Sequence, residues 1–207
     1  MTKIDLKKVL KQYYTAPADQ AAIVEVPPLP YLMAEGRGDP TTSLAFEQAA
    51  ATLFRLSYAL KFMLKKEQEL DYTVMPLEGL WWADDPTAFT EARRDEWQWI
   101  LMILQPDAVT GEALARARES AQGKKGAPSL CDTRLARHTD GQAVQILHVG
   151  PYEEVAVTID RMHRFIREGG YHFAGKHHEI YLNDPRRTPP PKLKTILRQP
   201  ITLEAQR

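Results

Sequence analysis

His177-His178-Glu179-Ile180-Tyr181-Leu182-Asn183-Asp184-Pro185 alternates as a β-strand does and then stops at a turn. With a side-chain period of two, His177, Glu179 and Tyr181 project to one side and His178, Ile180 and Leu182 to the other. A glutamate sharing a face with a tyrosine has two readings. It is an exposed strand residue paired with a lysine or arginine, or it is the one charge lining an apolar, aromatic ligand cavity. The segments around it decide which.

Immediately upstream, Ala143–Val149 reads as a strand, Gly150-Pro151 as a turn, and Tyr152–Glu168 as a helix with Val155, Ile159, Met162 and Ile166 on one face. Gly169-Gly170 stops it, and after the strand at 177–183 comes the Pro189-Pro190-Pro191 loop and a last strand, Lys192–Arg198. The same order occurs earlier in the chain. Tyr31–Glu35 is a strand, Gly36–Pro40 a turn, and Ser43–Leu70 a long helix with the stripe Ala45, Ala49, Leu53, Leu56, Leu60 and Met63. Asp71–Met75 and Leu77–Trp82 are strands around Pro76; Asp84-Asp85-Pro86 opens a short helix to about Arg94, and Trp97–Leu104 is the next strand. Ala22–Val26 is a further strand, separated from Tyr31 by a proline cluster that implies a bulge or edge bend. A polar helix over Thr110–Gln122, a flexible crossover at Gly123-Lys124-Lys125-Gly126 and a segment to His138 join the two copies.

The repeated order defines the expected class, α+β. Two pseudo-symmetric β-α-β-β modules form a joined antiparallel sheet with helices on one face and a ligand cleft on the other. The boundaries are a short N-terminal segment at 1–19 and one domain over 20–207, with modules at about 20–108 and 140–207. On this plan Ile180 and Leu182 meet the helices, while Glu179 and Tyr181 face the open side, and Glu78–Trp82 falls near Glu179–Asn183.

The bulk numbers narrow the function. The chain has 207 residues, with 27 acidic and 27 basic, so no basic stripe calls for nucleic acid or an anionic membrane. The segment over 1–16 suits one or two helical turns, too short for a helix-turn-helix. A single cysteine, Cys131, excludes an internal disulfide framework and a multi-cysteine zinc site, and no apolar run approaches the ~20 residues that span a bilayer. With no N-terminal apolar leader, these point to the cytoplasm. No phosphate loop, dinucleotide fingerprint or nucleophile elbow occurs. His177 and His178 point to opposite faces of a strand, so they do not share an ion; neither metal nor cofactor is expected. Cys131 reads as a bystander thiol.

Leu147-His148-Val149-Gly150-Pro151-Tyr152, the amphipathic helix after it, and Gly175-Lys176 leading into His177–Pro185 resemble the GyrI-like small-molecule-binding domain. Pro76-Leu77-Glu78-Gly79-Leu80-Trp81-Trp82 and Lys194-Thr195-Ile196-Leu197-Arg198-Gln199-Pro200 resemble its stand-alone branch. The similarity runs from about residue 20 to the C-terminus. It implies a pseudo-twofold domain with a ligand cleft between its modules, used as the effector-binding domain of multidrug-sensing transcription regulators. Some stand-alone members hydrolyse cyclopropane rings in cyclopropanoid DNA-alkylating compounds. In the regulators a buried glutamate meets cationic aromatic drugs, and the matching position here is Glu179.

Glu179 is therefore the first candidate, as partner of a cation or as general base on water. Tyr152 is expected as a second catalytic group through its hydroxyl; its plainer role is a lid over the helix N-terminus. Tyr181 either orients Glu179 or packs. Trp81, Trp82, Trp97 and Trp99 are stacking candidates, although adjacent Trp81 and Trp82 cannot both face a cleft. Met33, Met102 and Glu35 are further lining candidates. The expected ligand is a small, planar, aromatic molecule, neutral or cationic. The leading expectation is ring hydrolysis; the alternatives are a non-catalytic drug-binding or sequestering ligand sensor and a protein-binding module related to gyrase inhibition.

Overall fold

A computed structural model describes residues 2–85, 87–122 and 129–203. The expected crossover at 123–126, and Pro86 in the expected helix start, lie outside the described residues. In chain order the strands are β1 (Thr2–Ile4), β2 (Ala22–Val26), β3 (Leu29–Arg37), β4 (Leu70–Tyr72), β5 (Leu77–Trp82), β6 (Gln98–Leu104), β7 (Arg134–His138), β8 (Gly141–Val149), β9 (His172–Phe173), β10 (His177–Tyr181) and β11 (Lys194–Thr202). The α-helices are α1 (Leu6–Val9), α2 (Leu44–Gln68), α3 (Thr87–Thr90), α4 (Gly111–Gln122) and α5 (Val155–Glu168).

The chain divides into two compact units. One takes in the residues up to Val9 together with Leu29–His138; the other takes in Leu10–Pro28 and the chain from Thr139 onward. Each contains the expected β-α-β-β plan, as β3-α2-β5-β6 and β8-α5-β10-β11. Each also carries one outer strand. The first unit's strands run in the order β7-β3-β6-β5 and the second's in the order β2-β8-β11-β10, antiparallel throughout. β2 thus pairs with β8, although it precedes β3 in sequence.

In the first unit, Ser43 caps α2 by accepting from the Phe46 amide, as its position before the apolar stripe implies. Burial along α2 falls on Ala49, Leu53, Leu56 and Leu60 as expected. The ends of the stripe shift: Ala45 is exposed and Leu64, not Met63, is the buried residue of the last turn. The strand expected over Asp71–Met75 is shorter and pairs in parallel with β1, which the sequence reading missed. Gln105 donates to Ser57 on α2 at 3.0 Å, which puts the odd-numbered residues of β6 on the α2 side.

In the second unit, Val144 and Ile146 of β8 and Leu197 and Ile201 of β11 pack against Met162 and Ile166 of α5, with Val155 and Ile159 at the margin. The expected helical face is the one buried. The helix begins after a 3-10 turn, Tyr152–Glu154, rather than at Pro151 itself. Gly150 has φ +148, a conformation other residues rarely adopt, and turns the chain between β8 and that turn. The last strand runs past the expected end at Arg198, through Pro200, which pairs with Ala143.

The α+β class and the duplicated plan are as expected; the side assigned to Glu179 is not. Glu179 pairs with Leu197, and Leu197 pairs with Ile146. Paired residues project to the same side of a sheet, and Leu197 and Ile146 belong to the α5-facing core. Glu179 and Tyr181 therefore lie on the α5 side, and Ile180 on the other. There Gln145, Arg198 and His178 lie in one row across β8, β11 and β10. The segment at Gln12–Thr15 closes over them: Arg198 donates to the Tyr13 carbonyl at 2.5 Å and Gln145 to the Thr15 carbonyl at 3.0 Å. Strand alternation was legible, but which parity meets the helix depends on the register between β8, β11 and β10.

Candidate functional site

β10 places three polar side chains on the α5 side, His177, Glu179 and Tyr181, because its alternation is unbroken. The Tyr181 hydroxyl donates to Oε2 of Glu179 at 2.8 Å. Nε2 of His177 lies 3.4 Å from Oε1, an ion-pair separation, and Nε2 is buried without a hydrogen-bond partner. The Glu179 side chain is 17% exposed. Burial pushes its carboxyl upward, but His177, the Tyr181 hydroxyl and the nearby imidazole of His178 outweigh that and hold it below the ordinary carboxylate range. Glu179 is thus an anion sheltered from water and held by neighbours on the same strand.

Tyr152, in the 3-10 turn before α5, packs edge-on against Tyr181, with ring centroids 5.8 Å apart. Burial and the charges of Glu179 and Asp184 push its phenol up to about 12. It remains a neutral O–H donor at any physiological pH. Asp184 is engaged by Arg186 at 3.0 Å. On β8, His148 sits between the Thr158 hydroxyl at 2.9 Å and the Pro151 carbonyl at 3.1 Å, tying the turn that carries Tyr152 to the sheet and to α5. That geometry suits an imidazole donating from Nε2 and accepting at Nδ1. A cavity of about 370 Å³ beside it is lined by His148, Glu154, Thr158 and Arg161.

His178, on the opposite face, is fully buried. Its Nδ1 lies 2.8 Å from Oδ2 of Asp140, which also accepts from Arg198 at 3.0 Å. His177 and His178 point to opposite faces of β10, as their adjacency on a strand implies. The structure gives the two residues separate tasks, one beside Glu179 and one in a buried charge network.

The tryptophans belong to the first unit. Trp81 pairs with Trp99 across β5 and β6 on the α2 side, where Phe46 stacks on Trp81 at 5.8 Å and meets Trp99 edge-on at 5.3 Å. Trp99 is fully buried and Trp81 nearly so. Trp97 is half-buried, edge-on to Trp81, tilted against Phe89, and donates to the Ala88 carbonyl at 3.2 Å. Trp82 projects to the opposite side of β5 and is half-buried. Met33 and Met102 are paired neighbours on that side and are buried. Met33 and Glu35 also line a cavity of about 510 Å³ with Cys131–Arg134. Glu78, paired with Met102 on the same side of the sheet, is buried. The expected nearness to Glu179 in the repeated plan does not extend to facing: Leu77, paired with Ile103, lies on the α2 side and Glu78 on the opposite one, whereas Glu179 lies on the α5 side.

Duplicated β-α-β-β units, one bearing a sheltered carboxylate beside a packed pair of tyrosines, define a small α+β ligand-binding class. The family model for the GyrI-like small molecule binding domain matches residues 20–202, and the chain belongs to that family. It is 38% identical to a conserved protein from Listeria innocua, covering 96% of this chain and 100% of that one, with a TM-score of 0.87. A protein described as a hydrolase from the same organism is 37% identical over 97% of this chain and 100% of its own, with a TM-score of 0.86. The C-terminal domain of EcmrR shares the fold at 11% identity, over 88% of this chain and 97% of that domain, with a TM-score of 0.52. Comparison with curated proteins finds no match. Among the described residues no helix is long and apolar enough to cross a membrane.

Proposed function

We propose that the protein binds planar, hydrophobic aromatic molecules beside β10 and hydrolyses strained cyclopropane rings of cyclopropanoid DNA-alkylating compounds. The observation that carries this reading is Glu179, four-fifths buried and still ionised, with Tyr181 on one oxygen and Tyr152 within electrostatic reach. A base in that setting takes a proton from water as the water oxygen bonds to a ring carbon. The ring C–C bond breaks, and its electron pair passes to the carbonyl conjugated with the ring. The neutral Tyr152 hydroxyl donates to the oxyanion that forms. The hydrolase description of the Listeria innocua relative, over its full length, supports an activity of this type.

A second reading has its own support. An anion accepting from one tyrosine hydroxyl, with a second tyrosine ring packed against the first, also suits recognition of an aromatic cation without turnover. The two separate when the protein is incubated with a cyclopropanoid alkylator and the mixture is followed by mass spectrometry and tyrosine and tryptophan fluorescence. Hydrolysis gives a ring-opened product heavier by one water, lost in Glu179→Gln. Quenching with the compound recovered intact favours the binder. Undiminished turnover in Glu179→Gln removes the role given to that residue.

A further inference from the structure

Glu179 is held through both oxygens by partners of different kinds. Tyr181 occupies Oε2 with an uncharged hydroxyl, whereas the group facing Oε1 is an imidazole. The side chains of His177 and Glu179 are 18% and 17% exposed, and Nε2 of His177 is itself sealed from solvent with no hydrogen-bond partner. At 3.4 Å, a protonated imidazole offsets the charge that a ligand cation would need; a neutral imidazole leaves that charge available. We infer that His177 sets the charge class of the ligand: protonated, it makes the site one for uncharged planar aromatics, and neutral, it opens Glu179 to aromatic cations. The inference rests on Glu179 being the ligand-facing carboxylate.

The surrounding groups of the second unit leave this role to His177. Tyr152, its phenol pushed up to about 12, stays neutral across the physiological range. Asp184 is engaged by Arg186, and His178 is committed to Asp140 on the far side of the strand. From α5, His163 feels His177; burial first, then the charges of His177 and Arg167, hold it towards its neutral form against the pull of Asp160. His163 also packs edge-on against Phe173 at 4.6 Å, so it serves as a control imidazole. Imidazole is the side chain whose charge changes between about pH 5 and 8. An opposite charge at this range is worth about 1–3 pK units to a carboxyl, and proton and ligand cation compete reciprocally.

The test is a fluorescence titration of the whole chain with ethidium, a planar cation, and Nile red, an uncharged planar dye, at about pH 5.5 and 8. Ethidium is expected to bind about tenfold or more tightly at the higher pH, with Nile red nearly unchanged. His177→Gln removes the ethidium pH dependence and leaves the tight value at both ends; His163→Gln preserves it. A pH-independent ethidium affinity in the unaltered protein, or a dependence that survives in His177→Gln, overturns the inference. The first of these comparisons needs no variant to fold. Glu179→Gln separates the two levels. If it leaves ethidium binding unaffected, Glu179 is not the ligand carboxylate. If it weakens binding while the pH dependence persists in His177→Gln, only the role of His177 falls.

Discussion

Sheltering a carboxylate without neutralising it takes favourable neighbours that outweigh the lost hydration. At Glu179 those are the Tyr181 hydroxyl and the imidazoles of His177 and His178. Because its folded-state pKa lies below the ordinary value, its ionised form contributes stability that is complete above that value and lost as pH falls through the depressed one. Urea unfolding of the protein and of Glu179→Gln is therefore expected to differ most near neutrality and to converge in acid. Tyr152 has the opposite tendency, with its phenol pushed up to about 12. Turnover should show no tyrosine limb below that pH. Tyr152→Phe is expected to lower kcat on the order of 10²-fold with little change in KM, the effect of losing one donor to a developing oxyanion. Steady-state kinetics across pH check both statements. The pairing of Glu179 with Tyr181 was legible from strand parity. The task of His177 was not: parity puts it on the side of Glu179, but whether its ring reaches the carboxylate depends on a side-chain conformation that spacing does not set.

Alternation and capping act at the level of elements, and there the sequence reads well. The Ser43 cap, the α5 stripe and the limits of β2 and β5 all follow from local rules. Ser43→Ala is expected to cost about 1 kcal/mol in chemical denaturation. Gly36 is a sharper case. A Cβ there would come within 2.2 Å of the Trp99 ring, which is fully buried between Phe46 and β3. Gly36→Ala is expected to destabilise by about 1–3 kcal/mol or more, measured the same way, because the indole has nowhere to move. Local rules fail where register decides. Whether Glu179 or Ile180 faces α5 follows from the pairing of β10 with β11 and of β11 with β8, strands far apart in sequence. The pairing of β2 with β8 is hidden for the same reason.

At the scale of the whole molecule, the second unit packs a hydrophobic core on the α5 side of β8 and β11 and sets a charge network on the other side. Asp140, His178, Arg198 and Gln145 form a buried network that reaches the Tyr13 carbonyl. Removing Arg198 leaves the buried Asp140 carboxylate without its guanidinium. Arg198→Ala is expected to cost about 3–5 kcal/mol in urea unfolding, far more than an exposed arginine such as Arg186, and to loosen the Leu10–Pro28 segment in hydrogen exchange. That network links β8, β10 and β11 on the face opposite Glu179, the side away from the proposed chemistry. The most direct test is turnover of a cyclopropanoid alkylator in heavy-oxygen water, with product and protein both analysed by mass spectrometry. The expected result is the heavy oxygen on the former cyclopropane carbon, none in Glu179, and no product above background with Glu179→Gln. Intact alkylator after incubation, or equal product from Glu179→Gln, would contradict it.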